Sequence, residues 1–543
     1  MQDLNIHIPR PTIAGQTMTR RDINPIISGF APDPSIASIN GKFILVTSSF
    51  HLFPGLPLYV SDDAISWKQF RNAINRKSQL SLSKSRTRII RETNEEDPLL
   101  ATGGLYAPTI RHRAGITYIA CTNVIHEEGE SGPKFENFVI STPDVLRGNW
   151  SDPVYFDFHG IDPDIFFDDD GRTYISGSSY SRGLPWITKI AIDCFEIDLQ
   201  SGRKLTEQKE IWEGHSKNVP EGPHIYKRGQ WYYLLAAEGG TSEGHRITIA
   251  RSRSVWGPYE SHEKNPLLNV CDATAYIQHT GHGDLFQDAD GQWHLVCLGV
   301  RKNQGCYPMG RETFIAPVIW PEGAWPSMDP IVLNPAVLPK SNSSESSVGT
   351  PLICDEEAAR VYIRDPDLTR FQFSDAGRTV VIDPLPTSLA ENAQPIAFVG
   401  ARQRSLEGIA TVSLSNESLR SPVDLEAGLV WYRDELRFAR IFWTTKESAA
   451  VFEFVNTAKN LRSHHACKLK LDGPIRFRID YNESFLEFFC GGLGTSWEKI
   501  GKVNTVDISG SDFIGPVIGV FAIAEHGSPL VHFSELLIDQ ASL

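Results

Sequence analysis

Asp33, Asp162, Glu221 and His282 stand far apart in the chain, yet each sits at the same place in a recurring phrase. Asp33 lies in Gly-Phe-Ala-Pro-Asp-Pro-Ser-Ile, Asp162 in Ile-Asp-Pro-Asp-Ile, Glu221 in Glu-Gly-Pro-His-Ile and His282 in His-Gly-Asp-Leu. A fifth phrase, Tyr-Ala-Pro-Thr-Ile, carries Ala107 there. Counted back from the turn glycines Gly41, Gly115, Gly171, Gly229 and Gly291, the residues Asp33, Ala107, Asp162, Glu221 and His282 fall at offsets of 8, 8, 9, 8 and 9. A single Asp before Pro is ordinary turn chemistry. Three carboxyls in one register are material for acid–base catalysis, in which one group keeps a proton and another loses it. A carboxylic acid and a carboxylate on opposite faces of a sugar cleave a glycosidic bond. Attack by free water needs roughly 6.5–9.5 Å between the two. A third carboxylate beside the acid raises its pKa.

Positioning such a set requires repeated elements around a common axis. The phrase, a short apolar run, a glycine turn and then an aromatic strand, recurs with glycine spacings of 74, 56, 58 and 62. A β-hairpin repeated with a period near 60 residues predicts propeller blades, five of them, with equivalent innermost positions facing the axis. Residues 1–25 read as a polar lead-in, and residues 70–103 as an insertion forming a surface loop beside the axis. The Pro-rich stretch 321–330 and Pro339-Lys-Ser-Asn-Ser-Ser-Glu-Ser-Ser347 have linker composition. Beyond them alternating runs begin at Ile396, Ala410, Gly428, Ala450, Ile475 and Phe485, and predict an antiparallel β-sandwich. The expected division is a catalytic propeller over 1–335 and a sandwich over 336–543. No long stretch with helical periodicity stands out.

With 543 residues the chain exceeds one ordinary core. A net charge of −14 argues against nucleic acid or an anionic membrane as partner and suits a neutral substrate. The N-terminus lacks the apolar core of a signal peptide and no run approaches a membrane span. The eight cysteines are scattered without a Cys-x-x-Cys pair, which fits free, buried thiols in a reducing compartment. A cytoplasmic location is the expectation, with homo-oligomerisation open.

The motifs resemble glycoside hydrolase family 43, in its two-domain β-xylosidase branch. Asn24-Pro-Ile-Ile-Ser-Gly-Phe-Ala-Pro-Asp-Pro-Ser-Ile36 is similar to the general-base motif and implies Asp33 as base. Gly160-Ile-Asp-Pro-Asp-Ile-Phe-Phe-Asp-Asp-Asp-Gly171 resembles the pKa-modulator motif and implies Asp162, while Glu221-Gly-Pro-His-Ile implies Glu221 as general acid. Gly310-Arg-Glu-Thr fits the branch and implies Arg311 as a ligand of substrate hydroxyls, with His282 on the funnel floor and Phe50 and Tyr106 as pocket walls. Phe398-Val-Gly-Ala-Arg-Gln403 and Glu426-Ala-Gly-Leu-Val430 look like sandwich signatures. Phe513-Ile-Gly-Pro-Val-Ile-Gly519 resembles the loop that closes the pocket. The branch usually has Trp at Tyr106 and at Leu52, and a small residue at Asp164. These departures bear on substrate preference.

The resemblance implies an inverting exo-β-1,4-xylosidase acting on xylooligosaccharides without a required cofactor. An α-L-arabinofuranosidase or a bifunctional enzyme is the alternative. A non-catalytic carbohydrate-binding propeller is a third reading, disfavoured because it has no use for three gathered charges. Asp164 is distinguished from Asp162 by strand alternation. His282 reads as a core histidine, a pocket residue or a ligand of a hydrated Ca²⁺. Asp168-Asp-Asp-Gly and Asp288-Ala-Asp-Gly are hairpin turns lacking the distal bidentate Glu of a calcium loop.

Overall fold

The computed structural model describes residues 22–540, apart from 91–97, 131, 181–188, 340–352, 355, 470–472, 511 and 526. The described chain is almost entirely β. Its α-helices are the single turns Glu356–Ala359, Asn416–Leu419 and Thr505–Ile508. Five antiparallel sheets follow one another as blades, and their innermost strands are β1 (Ser35–Ile39), β2 (Gly104–Arg113), β3 (Gly160–Phe167), β4 (Glu221–Arg228) and β5 (Ile277–Gln287). In each blade the strand after the turn glycine pairs back on the innermost one, as with Ile39↔Lys42 and Arg228↔Trp231. The five-bladed propeller expected from the repeat is present.

The lead-in has a definite task. The fifth blade has only three strands of its own, ending in β6 (Arg311–Val318). Residues 23–31 run along the free edge of β6, where Ile27 bridges Thr313 and the Ala31 amide donates to the Arg311 carbonyl at 3.0 Å. The Asn24 side chain donates to the Ile315 carbonyl and accepts from its amide, both at 2.9 Å. The two ends of the propeller segment are thereby sewn together, satisfying an edge that would otherwise be left open. Residues 1–21 lie outside the described part.

Two other expectations change. Residues 321–330 are packed rather than linking: Trp325 lies edge-on to Tyr233, 6.0 Å between centroids, and the Tyr233 hydroxyl donates to the Ala324 carbonyl. The stretch expected as a linker from Pro339 falls almost wholly outside the described residues. The insertion is more than a surface loop, since Thr87–Ile90 and Leu99–Thr102 pair as a hairpin whose residues wall the central cavity.

The C-terminal half is a sandwich of an eight-stranded and a seven-stranded sheet. All six predicted runs are strands. Arg437–Thr444, buried at every residue, is a strand that the sequence reading did not anticipate. The halves interlock through the backbone. Leu52–Phe53 of the first blade extends the eight-stranded sheet by pairing with Arg360–Ile363, and Ile353–Cys354 adds to the first blade. Phe30, Phe50 and Leu52 meet Val361, Phe398 and Ile514 in one apolar cluster between them. At Gly310, with φ of +69°, an added Cβ would stand 2.2 Å from the Ile514 carbonyl, and one at Gly515 would stand 2.4 Å from the Met309 carbonyl. That backbone contact seats the loop carrying Phe513 over the propeller.

Candidate active site

All eight residues singled out from the sequence line one cavity of about 440 Å³ at the mouth of the propeller: Asp33, Asp162 and Glu221 with Phe50, Tyr106, His282, Arg311 and Phe513. The innermost strands bring them there by a shared distortion. Ladder register shifts between Tyr106 and Thr109, Ile161 and Asp164, Glu221 and His224, and Gln278 and Gly281. The left-handed residues beside the axis are Asp33 (φ +52°), Ala107 (+36°), Asp162 (+58°), Gly222 (+54°) and His282 (+43°). Bulges of this kind re-aim side chains next to active sites, and the strain is held by the surrounding sheet. The equivalent residue in the fourth blade is therefore Gly222, and Glu221 enters from one position earlier. Counting from the turn glycine mixed register with hairpin length: the loop joining Arg228 to Trp231 is shorter than that joining Phe167 to Thr173. The glutamate nonetheless reaches the cavity.

Asp33 is held on both sides. Ser48 Oγ donates to Asp33 Oδ2 at 2.6 Å and accepts from the Ala107 amide at 2.7 Å, while Arg311 Nη1 stands 3.6 Å from Asp33 Oδ1. Ser48→Ala removes a hydrogen bond to a carboxylate and strands a buried amide. At about 1.5–3 kcal/mol for a charged hydrogen bond, kcat/KM should fall about 10- to 100-fold, read from steady-state rates of the folded variant.

Asp162 accepts from the Gly222 amide at 3.0 Å and faces His282 Nδ1 at 4.0 Å. Burial, with the Glu221 and Asp33 charges, raises its carboxyl well above the ordinary value. For Glu221 burial also pushes upward, but His245, His282 and Arg311 outweigh it and leave the carboxyl below its usual value. This differs from the expected order, in which Glu221 would be the group kept protonated: the carboxyl that holds its proton more tightly is Asp162. A folded-state pKa above the unfolded one means that stability is lost as pH rises from about the ordinary 3.8 through the folded value. Asp162→Asn removes that loss. Its melting temperature should exceed the wild type's at neutral pH, with the difference vanishing below pH 3.8, in melts recorded across pH.

The walls are aromatic. Phe50 packs 4.7 Å from Tyr106 and 5.8 Å from Phe513, centroid to centroid, and the Arg311 guanidinium lies 5.0 Å over Phe513. Tyr106 is fixed by donating to the Thr102 carbonyl at 2.6 Å. Of the three departures from the resembled pattern only Tyr106 touches the cavity. Leu52 is buried between the domains, and Asp164 lies in the layer beneath. Strand alternation was the wrong reason for separating Asp164 from Asp162, because residues two apart share a face. The bulge sends Asp164 to Arg111 Nη2 at 2.7 Å and His224 Nδ1 at 3.2 Å. Arg111 Nη1 bonds Asp284 Oδ2 at 2.8 Å, so a buried ionic layer underlies the floor.

Sequence reasoning missed His126, Phe135 and Tyr180 on the walls, and Arg88 from the insertion. None belongs to the repeated phrase. A second cleft of about 810 Å³ runs between the two domains and shares Leu99, Val219, Gly240 and Thr241 with the cavity. Among the described residues no group of three or more His, Cys, Asp or Glu is arranged to hold a metal. Asp168 and Asp288 do turn work: Asp288 Oδ1 accepts the Asp290 and Gln292 amides, and Asp168 Oδ1 accepts that of Asp169. Seven cysteines are free thiols, six buried and Cys271 exposed.

A propeller with three carboxyls gathered at the foot of an aromatic-walled, sugar-sized cavity defines a glycoside hydrolase. The chain belongs to glycosyl hydrolases family 43, whose model matches residues 23–326, and the beta xylosidase C-terminal concanavalin A-like domain matches residues 362–534. It is 32% identical over 513 residues to the non-reducing end α-L-arabinofuranosidase BoGH43B of Bacteroides ovatus, covering 92% of this chain and 90% of that one. A xylosidase/arabinosidase of Butyrivibrio fibrisolvens is 38% identical over 322 residues, 56% of either chain. The solved Bacteroides ovatus xyloglucan-locus GH43B superposes with a TM-score of 0.80 at 28% identity, covering 95% of this chain and 99% of that one.

Proposed function

We propose that the protein is an inverting, exo-acting β-1,4-xylosidase that releases xylose from the non-reducing ends of xylooligosaccharides. The observation that carries this reading is the convergence of Asp33, Asp162 and Glu221 in one cavity that Phe513 of the sandwich also lines. Asp33 takes a proton from the attacking water, its orientation fixed by Ser48. Glu221 gives a proton to the leaving oxygen. Asp162, which accepts from the Gly222 amide and is pushed upward by the Glu221 charge, holds the proton balance of the pair. Arg311 and the aromatic walls hold the terminal sugar, and the remainder of the oligosaccharide leaves through the cleft between the domains. The chemistry needs water and carboxyls only.

A second reading, α-L-arabinofuranosidase, is favoured by the name of the relative that aligns along most of the chain. Rates on aryl β-xyloside and aryl α-L-arabinofuranoside decide between them. A higher kcat/KM on the xyloside, with α-xylose as the first product by proton NMR, is the expected result. β-Xylose as first product overturns inversion, and preference for the arabinoside overturns the xylosidase reading.

A further inference from the structure

His245 lies outside every repeated phrase and does not line the cavity, yet it is built against Glu221. Its ring is buried, with Nε2 3.4 Å from Glu221 Oε1 and Nδ1 3.1 Å from the His279 carbonyl. Nε2 is buried without a hydrogen-bond partner, and Glu221 Oε1 stands within ion-pair distance of it. A carbonyl oxygen only accepts, so Nδ1 carries hydrogen in either protonation state. The ring is thereby oriented, and only the Nε2 position remains free to share a proton with the carboxyl.

The surrounding backbone is shaped to admit this ring. A Cβ on Gly281 would come within 2.3–2.5 Å of three His245 ring atoms. His279, whose carbonyl receives Nδ1, is itself left-handed at φ +53°, and the ladder register breaks between Gln278 and Gly281. A bulge and a missing side chain thus place one imidazole against one carboxyl. The charged and titratable groups around the pair are Asp162 on β3, His279 and His282 on β5, Arg311 on β6, and Asp33 and Tyr180 across the cavity.

We propose that His245 is the positioning and proton-sharing partner of Glu221. Imidazolium with carboxylate, and imidazole with carboxylic acid, are two forms of the same pair. In passing between them the Nε2–H bond breaks as the Oε1–H bond forms, and the net charge of the pair is unchanged. In the first form the carboxyl is ionised; the second is the form able to protonate a leaving oxygen. This inference rests on Glu221 being the acid.

The test compares His245→Phe, His245→Gln and Glu221→Gln on aryl β-xylosides of graded leaving-group pKa and on xylobiose, with pH profiles of kcat/KM. His245→Phe should lose about 10- to 100-fold on xylobiose and poor leaving groups, part of what general acid catalysis supplies. It should change less than about threefold on dinitrophenyl xyloside, whose leaving group needs no acid. The basic limb of its pH profile should move by about half a unit or more, while His245→Gln, whose amide can still reach the carboxyl but cannot pass it a proton, recovers part of the xylobiose rate without restoring the limb. Thermal melts establish that the variants are folded. An equal loss on all leaving groups with an unmoved basic limb makes His245 merely structural and overturns the proposal. If Glu221→Gln itself shows no leaving-group dependence, the assignment of the acid fails instead.

Discussion

Replacing Asp33 by Asn is expected to lower kcat/KM by about 10²- to 10⁴-fold, to a similar extent on activated aryl xylosides and on xylobiose. The uniformity is the informative part. A base acts on the nucleophilic water, which every substrate shares, so improving the leaving group cannot compensate. The substitution is nearly isosteric. Ser48 Oγ can still donate to the retained carbonyl oxygen of the amide, and only the weak approach of Arg311, 3.6 Å away, loses its charge partner. The fold should persist, as measured by melting temperature and circular dichroism. Turnover within tenfold of wild type would remove Asp33 from the role of base.

Glu221→Gln should behave in the opposite way. Xylobiose hydrolysis falls by about 10²- to 10⁴-fold, while a dinitrophenyl xyloside, whose departing oxygen needs no proton, stays within about an order of magnitude. Gln cannot supply a proton, yet it keeps the length and burial of the side chain. The high pKa of Asp162 has Glu221 as its largest cause after burial, so the same variant should also bring the Asp162 carboxyl downward. Titration of that group by carbon NMR would show it. An unchanged Asp162 would mean that the two carboxyls do not share one proton.

What the sequence disclosed was whatever recurred. Asp33, Asp162 and His282 were legible because the phrase returns with a turn glycine at a near-constant distance, and the propeller followed from the same count. The one-residue error at Glu221 came from the same source: hairpin loops differ in length, and a glycine offset cannot separate loop from ladder. The sandwich runs at Ile475 and Phe485, which alternate buried with half-buried residues, were readable by their period of two. Arg437–Thr444, dry on both faces, was not. His245 had no signal at all, since nothing local connects a histidine after a Gly-rich loop to a glycine 36 residues later that leaves it room. Nor does composition reveal that a lead-in peptide closes a ring.

That closure bears on how the molecule fails. A ring fastened at one clasp opens there first, and the clasp runs beside the catalytic floor. Asp33 follows directly on the fastening segment, and Arg311 begins the strand it fastens to, while Asp162 and Glu221 belong to adjacent blades on uninterrupted chain. Slight unfastening under heat or denaturant would part the water-activating side of the pocket from its arginine and leave the other two carboxyls in place. Catalysis then becomes a gauge of circular integrity, extinguished while the blades still give a full β spectrum.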